Sequence, residues 1–156
     1  MSDSPEAFRD LLAPVTALCA GRPLDDALGA ALNEHFPADG ERVAAIRAAS
    51  DAAIAAGWMC AREAGGIRYG RVLKPTPGSH GFSVDVVEME EVAGPHHRHP
   101  NGEIDLILPH DDGARFDGHG AGWLVYGPGS AHPPTVTGGA ARILYLLPDG
   151  AIEFTR

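Results

Sequence analysis

His96-His97-Arg98-His99-Pro100-Asn101-Gly102-Glu103 gathers three imidazoles and a carboxylate within eight residues. On an extended segment side chains alternate, so His97 and His99 fall on one face and aim at one point. Pro100-Asn101-Gly102 has the composition of a turn, and the chain can fold back to start a new strand at Glu103 with its carboxylate at the same point. A second turn, Gly127-Pro128-Gly129-Ser130-Ala131, leads to a fourth candidate, His132. His96 points away from His97 on a regular strand and belongs at the rim, with a weaker claim as an alternative ligand or proton carrier. Asp105 shares the face of Glu103 and can orient a ligand or carry a proton.

Working outward, the residues around this stretch read as short strands. Residues 67–74 form one; 82–86 alternate cleanly, and 87–92 continue with a slip in register that a bulge absorbs. Further strands are expected over 103–108, 114–118 and 122–126, from His132 onward, over 141–147 after a Gly138-Gly139 hairpin turn, and over 151–154. Seven or eight strands at short spacing imply a sandwich or barrel of the jelly-roll kind.

Composition changes near Gly65-Gly66. Before it the chain is rich in Ala and Leu at helical spacing. A first helix is expected from Ser4-Pro5 with Phe8, Leu11 and Leu12 on one side, kinked or broken at Pro14. A second fits 24–36, where Leu24, Leu28 and Leu32 recur every four residues. In a third, Asp39 caps, Glu41 suits the first turn, and Val43, Ile46 and Ile54 run on towards Gly57. The expected organisation is a helical segment over 1–64 packed on a β-barrel over 65–156, as one structural unit.

The chain has 156 residues and a formal net charge of -9. That length suits one domain. Its basic residues are scattered, which argues against nucleic acid as a partner. No basic leader precedes an apolar run and no span-length apolar stretch occurs, so no membrane partner and a cytoplasmic location are expected. Cys19 and Cys60 stand apart among small apolar neighbours and read as buried hydrophobes, not as a disulfide.

His97-Arg98-His99-Pro100-Asn101-Gly102-Glu103 resembles the first cupin motif, His-x-His followed after three or four residues by Glu. Gly127-Pro128-Gly129-Ser130-Ala131-His132 is similar to the second, Pro-x-Gly-x-x-His. Gly127 stands where that motif usually has Pro, and Val136 replaces a frequent Asn, but no ligand is lost. The resemblance implies a mainly β fold, a cupin-type double-stranded β-helix or jelly-roll barrel with an N-terminal helical segment. His97, His99, Glu103 and His132 would face its interior as metal ligands. Three imidazoles and a carboxylate suit divalent Fe, Mn, Ni or Zn, with positions left open for substrate or water. Cupins commonly dimerise, so a homodimer is expected.

The whole chain also resembles the small 4-hydroxylaminobenzoate lyases of bacterial nitroaromatic breakdown. The resemblance runs through residues 95–105, 122–126, 128–132 and 143–148. It implies a metal-dependent conversion of an aryl hydroxylamine and water to 3,4-dihydroxybenzoate and ammonia, which balances without oxidant or reductant and calls for a Lewis acid. Asp105 or His96 would shuttle the proton. Arg98 and Arg71, with Lys74 and Arg142, are candidates for the substrate carboxylate. Trp123 and Tyr126, with Tyr69 and Phe82, are candidates to wall its ring. His110 and His119 read as loop residues. The alternatives are an Fe(II) cupin dioxygenase and a non-catalytic cupin that binds a small ligand.

Overall fold

A computed structural model describes residues 4–155; Met1 to Asp3, part of the stretch read as lacking a leader, lie outside the described residues, as does Arg156. Helix α1 (Pro5–Cys19) opens on Ser4, whose hydroxyl accepts from the Ala7 N–H at 3.0 Å, and buries Phe8, Leu12, Val15 and Cys19. This i, i+4, i+7, i+11 spacing draws one apolar stripe down the helix. Pro14 lies inside α1 and does not end it. Helix α2 (Asp26–His35) starts two residues later than the expected Leu24, because the Asp25 carboxylate accepts from the Leu28 N–H at 3.0 Å and caps it there. Helix α3 (Glu41–Ala56) is preceded by Gly40 and not by the expected cap Asp39, with no side-chain cap bond at all.

Strand β1 (Arg62–Ala64) pairs with β2 (Ile67–Leu73), and Gly65-Gly66 is the turn between them. The β-region therefore begins three residues before the compositional boundary. After a 3-10 turn at Pro77–Ser79 come β3 (Phe82–Ala93), β4 (His97–His99), β5 (Glu103–Pro109), β6 (Arg115–Phe116), β7 (Gly122–Tyr126), β8 (Ser130–His132), β9 (Thr135–Pro148) and β10 (Glu153–Phe154). One antiparallel sheet runs β1-β2-β3-β9-β5-β7 with β6 on β9; a smaller sheet runs β10-β4-β8. This is a mainly β, cupin-type barrel with an N-terminal helical segment.

Two apolar layers follow from strand alternation. Val84, Val86, Ile104, Leu106, Trp123, Leu144 and Leu146 turn to the helices and pack with Phe8, Leu12, Leu32 and Ile46. Val87, Met89, Ile107, Phe116, Ile143 and Tyr145 turn inward, between the sheets. The anticipated slip in β3 is present, between Glu90 and Val92. Two expectations fail near the end of the chain. His132 closes β8 instead of opening a strand, since Pro133-Pro134 follow and proline has no N–H for the ladder. Gly138-Gly139 is not a hairpin turn: β9 pairs with β3 on both sides of it, and the glycines bulge within one strand.

Candidate metal centre

The small sheet and the start of β5 build the centre. In the β4–β8 register His97 lies opposite His132 and His99 opposite Ser130. A tight turn returns the chain to Glu103. Gly102 makes it at φ +90, and a Cβ there would sit 2.8 Å from the Tyr126 carbonyl oxygen and 2.7 Å from the Leu24 side chain. Any other residue would push the turn, and the carboxylate behind it, out of place. One ligand atom each of His97, His99, Glu103 and His132 lies within 4.8 Å of all the others. His97, His99 and Glu103 are buried, and His132 is nearly so.

Their hydrogen bonds decide which nitrogens face the centre. His97 Nδ1 lies 3.3 Å from the Pro95 carbonyl oxygen, which can only accept, so the ring proton is on Nδ1. His132 Nδ1 meets the Asp117 carboxylate at 2.6 Å and is likewise the donor. Ser130 gives its hydroxyl proton to the Gly127 carbonyl at 2.6 Å, so the Ser130 Oγ accepts from His99 Nδ1 at 2.9 Å. All three Nε2 atoms then carry bare lone pairs. With both oxygens of Glu103, they are buried side-chain atoms without a hydrogen-bond partner, although His99 Nε2 comes within 3.1 Å of Glu103 Oε1. Lone pairs crowded without donors are costly unless a cation lies among them. The four residues fit a metal ion, and they form a cluster that can hold one.

Charge around the cluster is arranged to match. Burial raises the Glu103 carboxyl, but without a cation the hydrogen bonds it would draw from His97 and His99, and the Asp105 carboxyl after them, outweigh burial and hold Glu103 below its ordinary range; a cation among the lone pairs takes over that stabilising part. Asp105, fully buried, is raised well above its ordinary range by burial first and the Glu103 charge second. Neither Asp105 oxygen has a hydrogen-bond partner. Asp117 is raised by burial but lowered further by His132, Tyr126 and the Thr135 N–H, and its net shift is downward. It accepts from Tyr126 Oη at 2.5 Å and from Thr135 N at 2.9 Å. Sequence spacing did not single out Asp117 or Ser130; Ser130 could have been noticed two residues before His132, on its strand.

A cavity of about 620 Å³ opens between the sheets against His97 and Tyr145, walled by Tyr69, Val87 and Met89, with Arg62, Arg71 and Asp85 among its lining. Several candidates from the sequence lie elsewhere. Trp123 turns to the helices, donating from Nε1 to the Phe36 carbonyl at 2.9 Å, and Phe82 shares that layer. The phase of β7 puts Leu124 and Tyr126 inward instead. Tyr126 packs by its ring on His132 at 4.5 Å between centroids. Arg98 alternates outward from His97 and His99 and pairs with Glu153 at 2.9 Å. Arg142 is buried under α3 against Glu88, Ser50 and Asp51. Lys74 is exposed and does not line the cavity. His96 bonds Thr155 by its Nδ1 and stays off the cluster. His110 binds Glu88 at 2.8 Å. Arg71 does line the cavity, tied to Asp85.

Comparison with known proteins adds an independent line. The family model for PnbB, 4-hydroxylaminobenzoate lyase, matches residues 10–154. A 4-hydroxylaminobenzoate lyase from Pseudomonas putida is 32% identical over 140 residues, covering 79% of this chain and 80% of that protein. Another, from Nocardioides sp. (strain LMS-CY), is 36% identical over 107 residues, 63% of each. Among solved structures, an RmlC-like cupin protein from Ralstonia eutropha JMP134 superposes with a TM-score of 0.46 at 15% identity, covering 64% of this chain and 66% of that one.

Proposed function

The chain belongs to the 4-hydroxylaminobenzoate lyase family, and from that premise we propose that it is a metal-dependent lyase converting 4-hydroxylaminobenzoate and water to 3,4-dihydroxybenzoate and ammonia. The observation that carries this reading is the cluster of His97, His99, Glu103 and His132, whose ligating atoms converge with no other partner beside a cavity of about 620 Å³. A divalent Fe, Mn, Ni or Zn ion held there would supply a Lewis acid for the hydroxylamine oxygen. The residues do the rest. Asp105, buried beside Glu103 with its carboxyl raised well above the ordinary range, would hold a proton for the oxygen that leaves nitrogen. Asp117 and Ser130 fix two of the imidazoles. Tyr69, Val87 and Met89 line an apolar wall against which the ring would lie.

The same reading makes the protein a cytoplasmic enzyme of nitroaromatic breakdown. Partial reduction of a nitroarene yields this substrate class, and two free, buried thiols agree with a reducing compartment. Among the described residues no helix is long and apolar enough to cross a membrane. A homodimer is part of the reading, supported by Phe154, a large apolar side chain left 67% exposed.

Purified protein with measured metal content should release ammonia and 3,4-dihydroxybenzoate in equal amounts from 4-hydroxylaminobenzoate, without oxygen uptake. His99→Ala should lose the metal by mass spectrometry and the turnover with it. Oxygen consumption in place of ammonia release would replace the lyase by a dioxygenase. Tight retention of unchanged substrate would make the protein a binding module.

A further inference from the structure

We infer that Arg62 is the cation that receives the substrate carboxylate, an inference that rests on the lyase reading above. In 4-hydroxylaminobenzoate the carboxylate stands across the ring from the reacting nitrogen. With the hydroxylamine at the His97 end of the cavity, the carboxylate must find its partner elsewhere on the wall, and an anion against apolar surface needs a cation.

Three charged side chains line the cavity: Arg62, Arg71 and Asp85. Arg71 is committed. Its Nε and Nη2 donate to the two Asp85 oxygens at 2.7 and 3.3 Å, and Nη2 also reaches the Gly150 carbonyl at 3.2 Å. That pair is neutral towards an incoming anion. Arg62 differs: it has no ion-pair or hydrogen-bond partner among the described residues, so its whole guanidinium fork is open. The β1–β2 register sets Arg62 opposite Tyr69, one of the aromatic residues on the cavity wall. A ring lying along Tyr69 would present its para substituent to the strand that carries Arg62. An arginine on an edge strand also has a purely protective role, blocking sheet-to-sheet pairing. The test must separate the two.

Kinetics on 4-hydroxylaminobenzoate are compared with phenylhydroxylamine, which lacks the carboxylate, for the wild type, Arg62→Ala, Arg62→Lys and Arg71→Ala. Binding of 4-aminobenzoate and of aniline to the same four proteins is measured by calorimetry and needs no turnover. Arg62→Ala should raise KM for the carboxylated substrate about tenfold with kcat little changed, a modest figure because the arginine is exposed and partly screened. Phenylhydroxylamine kinetics should not move, 4-aminobenzoate should bind about tenfold more weakly by the same loss, and Arg62→Lys should recover part of both. Equal effects on both substrates, no effect on either, or a carboxylate-specific loss confined to Arg71→Ala would overturn the inference. So would wild-type protein that binds aniline as tightly as 4-aminobenzoate. If 4-aminobenzoate binds through Arg62 while no ammonia is released, the anion subsite stands and the lyase reading falls.

Discussion

Asp117 Oδ2 takes hydrogen bonds from His132 Nδ1 and Tyr126 Oη while Oδ1 takes the Thr135 N–H. The carboxylate therefore sets the tautomer and the tilt of one imidazole of the candidate metal cluster, although it never reaches the centre itself. Asp117→Asn removes the charge that favours a proton on His132 Nδ1. Metal affinity measured by chelator competition should fall about 10- to 100-fold, with a small change in the melting of metal-free protein. Unchanged affinity would show that Asp117 only caps the loop before β9. The four cluster residues were legible because three sit within seven positions on a strand, a turn and a strand, where alternation alone makes them converge. Asp117, Ser130 and Arg62 were not. Each matters through pairing with a distant strand, and nothing in their neighbours signals that pairing. Trp123 was misassigned for a related reason. Strand β7 has the helical layer on one side and the barrel interior on the other, so its apolar pattern does not say which face is which.

The bulge of β9 shows how an element shapes the site from a distance. Gly138 has φ +76, and a Cβ on it would lie 2.3 Å from the Gly113 carbonyl oxygen. This close approach lets β6 lie on β9, Phe116 opposite Val136, and β6 delivers Asp117 at its end. Gly138→Ala adds backbone strain to a clash and should cost about 2 kcal/mol or more in denaturant unfolding. It should also weaken metal binding, because Asp117 shifts with β6; a variant of wild-type stability would show that the strand yields freely. Composition alone reads two adjacent glycines between apolar runs as a reversal. Only the partners on both flanks reveal a continuous strand. The slip in β3 was legible because the alternation itself changes phase there. The helix starts were less so: Asp25 caps α2, but at α3 the chain relies on Gly40 beside a perfectly suitable Asp39.

At the scale of the molecule, helices and large sheet share one apolar layer, and Arg142 adds polar ties from β9 to Ser50 and Asp51 of α3 at 2.6 and 2.8 Å. Such a layer should unfold with the barrel in one transition. Cys19 and Cys60 both lie in it and serve as reporters. Burial pushes the Cys19 thiol up to about 12 and the Cys60 thiol up to about 11, from an ordinary 9.0. In the native protein at pH 8 neither should react with a thiol reagent, and both should become reactive together at the unfolding midpoint. A thiol that reacts early would show that its element opens alone. The pH dependence has a definite sign. The unfolded thiols ionise near 9 while the folded ones stay protonated, so this contribution is complete below pH 9 and is lost as pH rises towards 11 and 12. The class of fold, mainly β with helices leading, was legible from the change of period near Gly65-Gly66; that the helices and barrel would share a core was legible only as an expectation of packing. The pairing of β10 with β4, Glu153 opposite Arg98 and Phe154 opposite His97, has a practical side. Histidines of a purification tag set next to β10 would lie beside the strand that bears two of the cluster imidazoles. They would compete for the same ion, so metal content is best measured on protein that carries no histidine tag there.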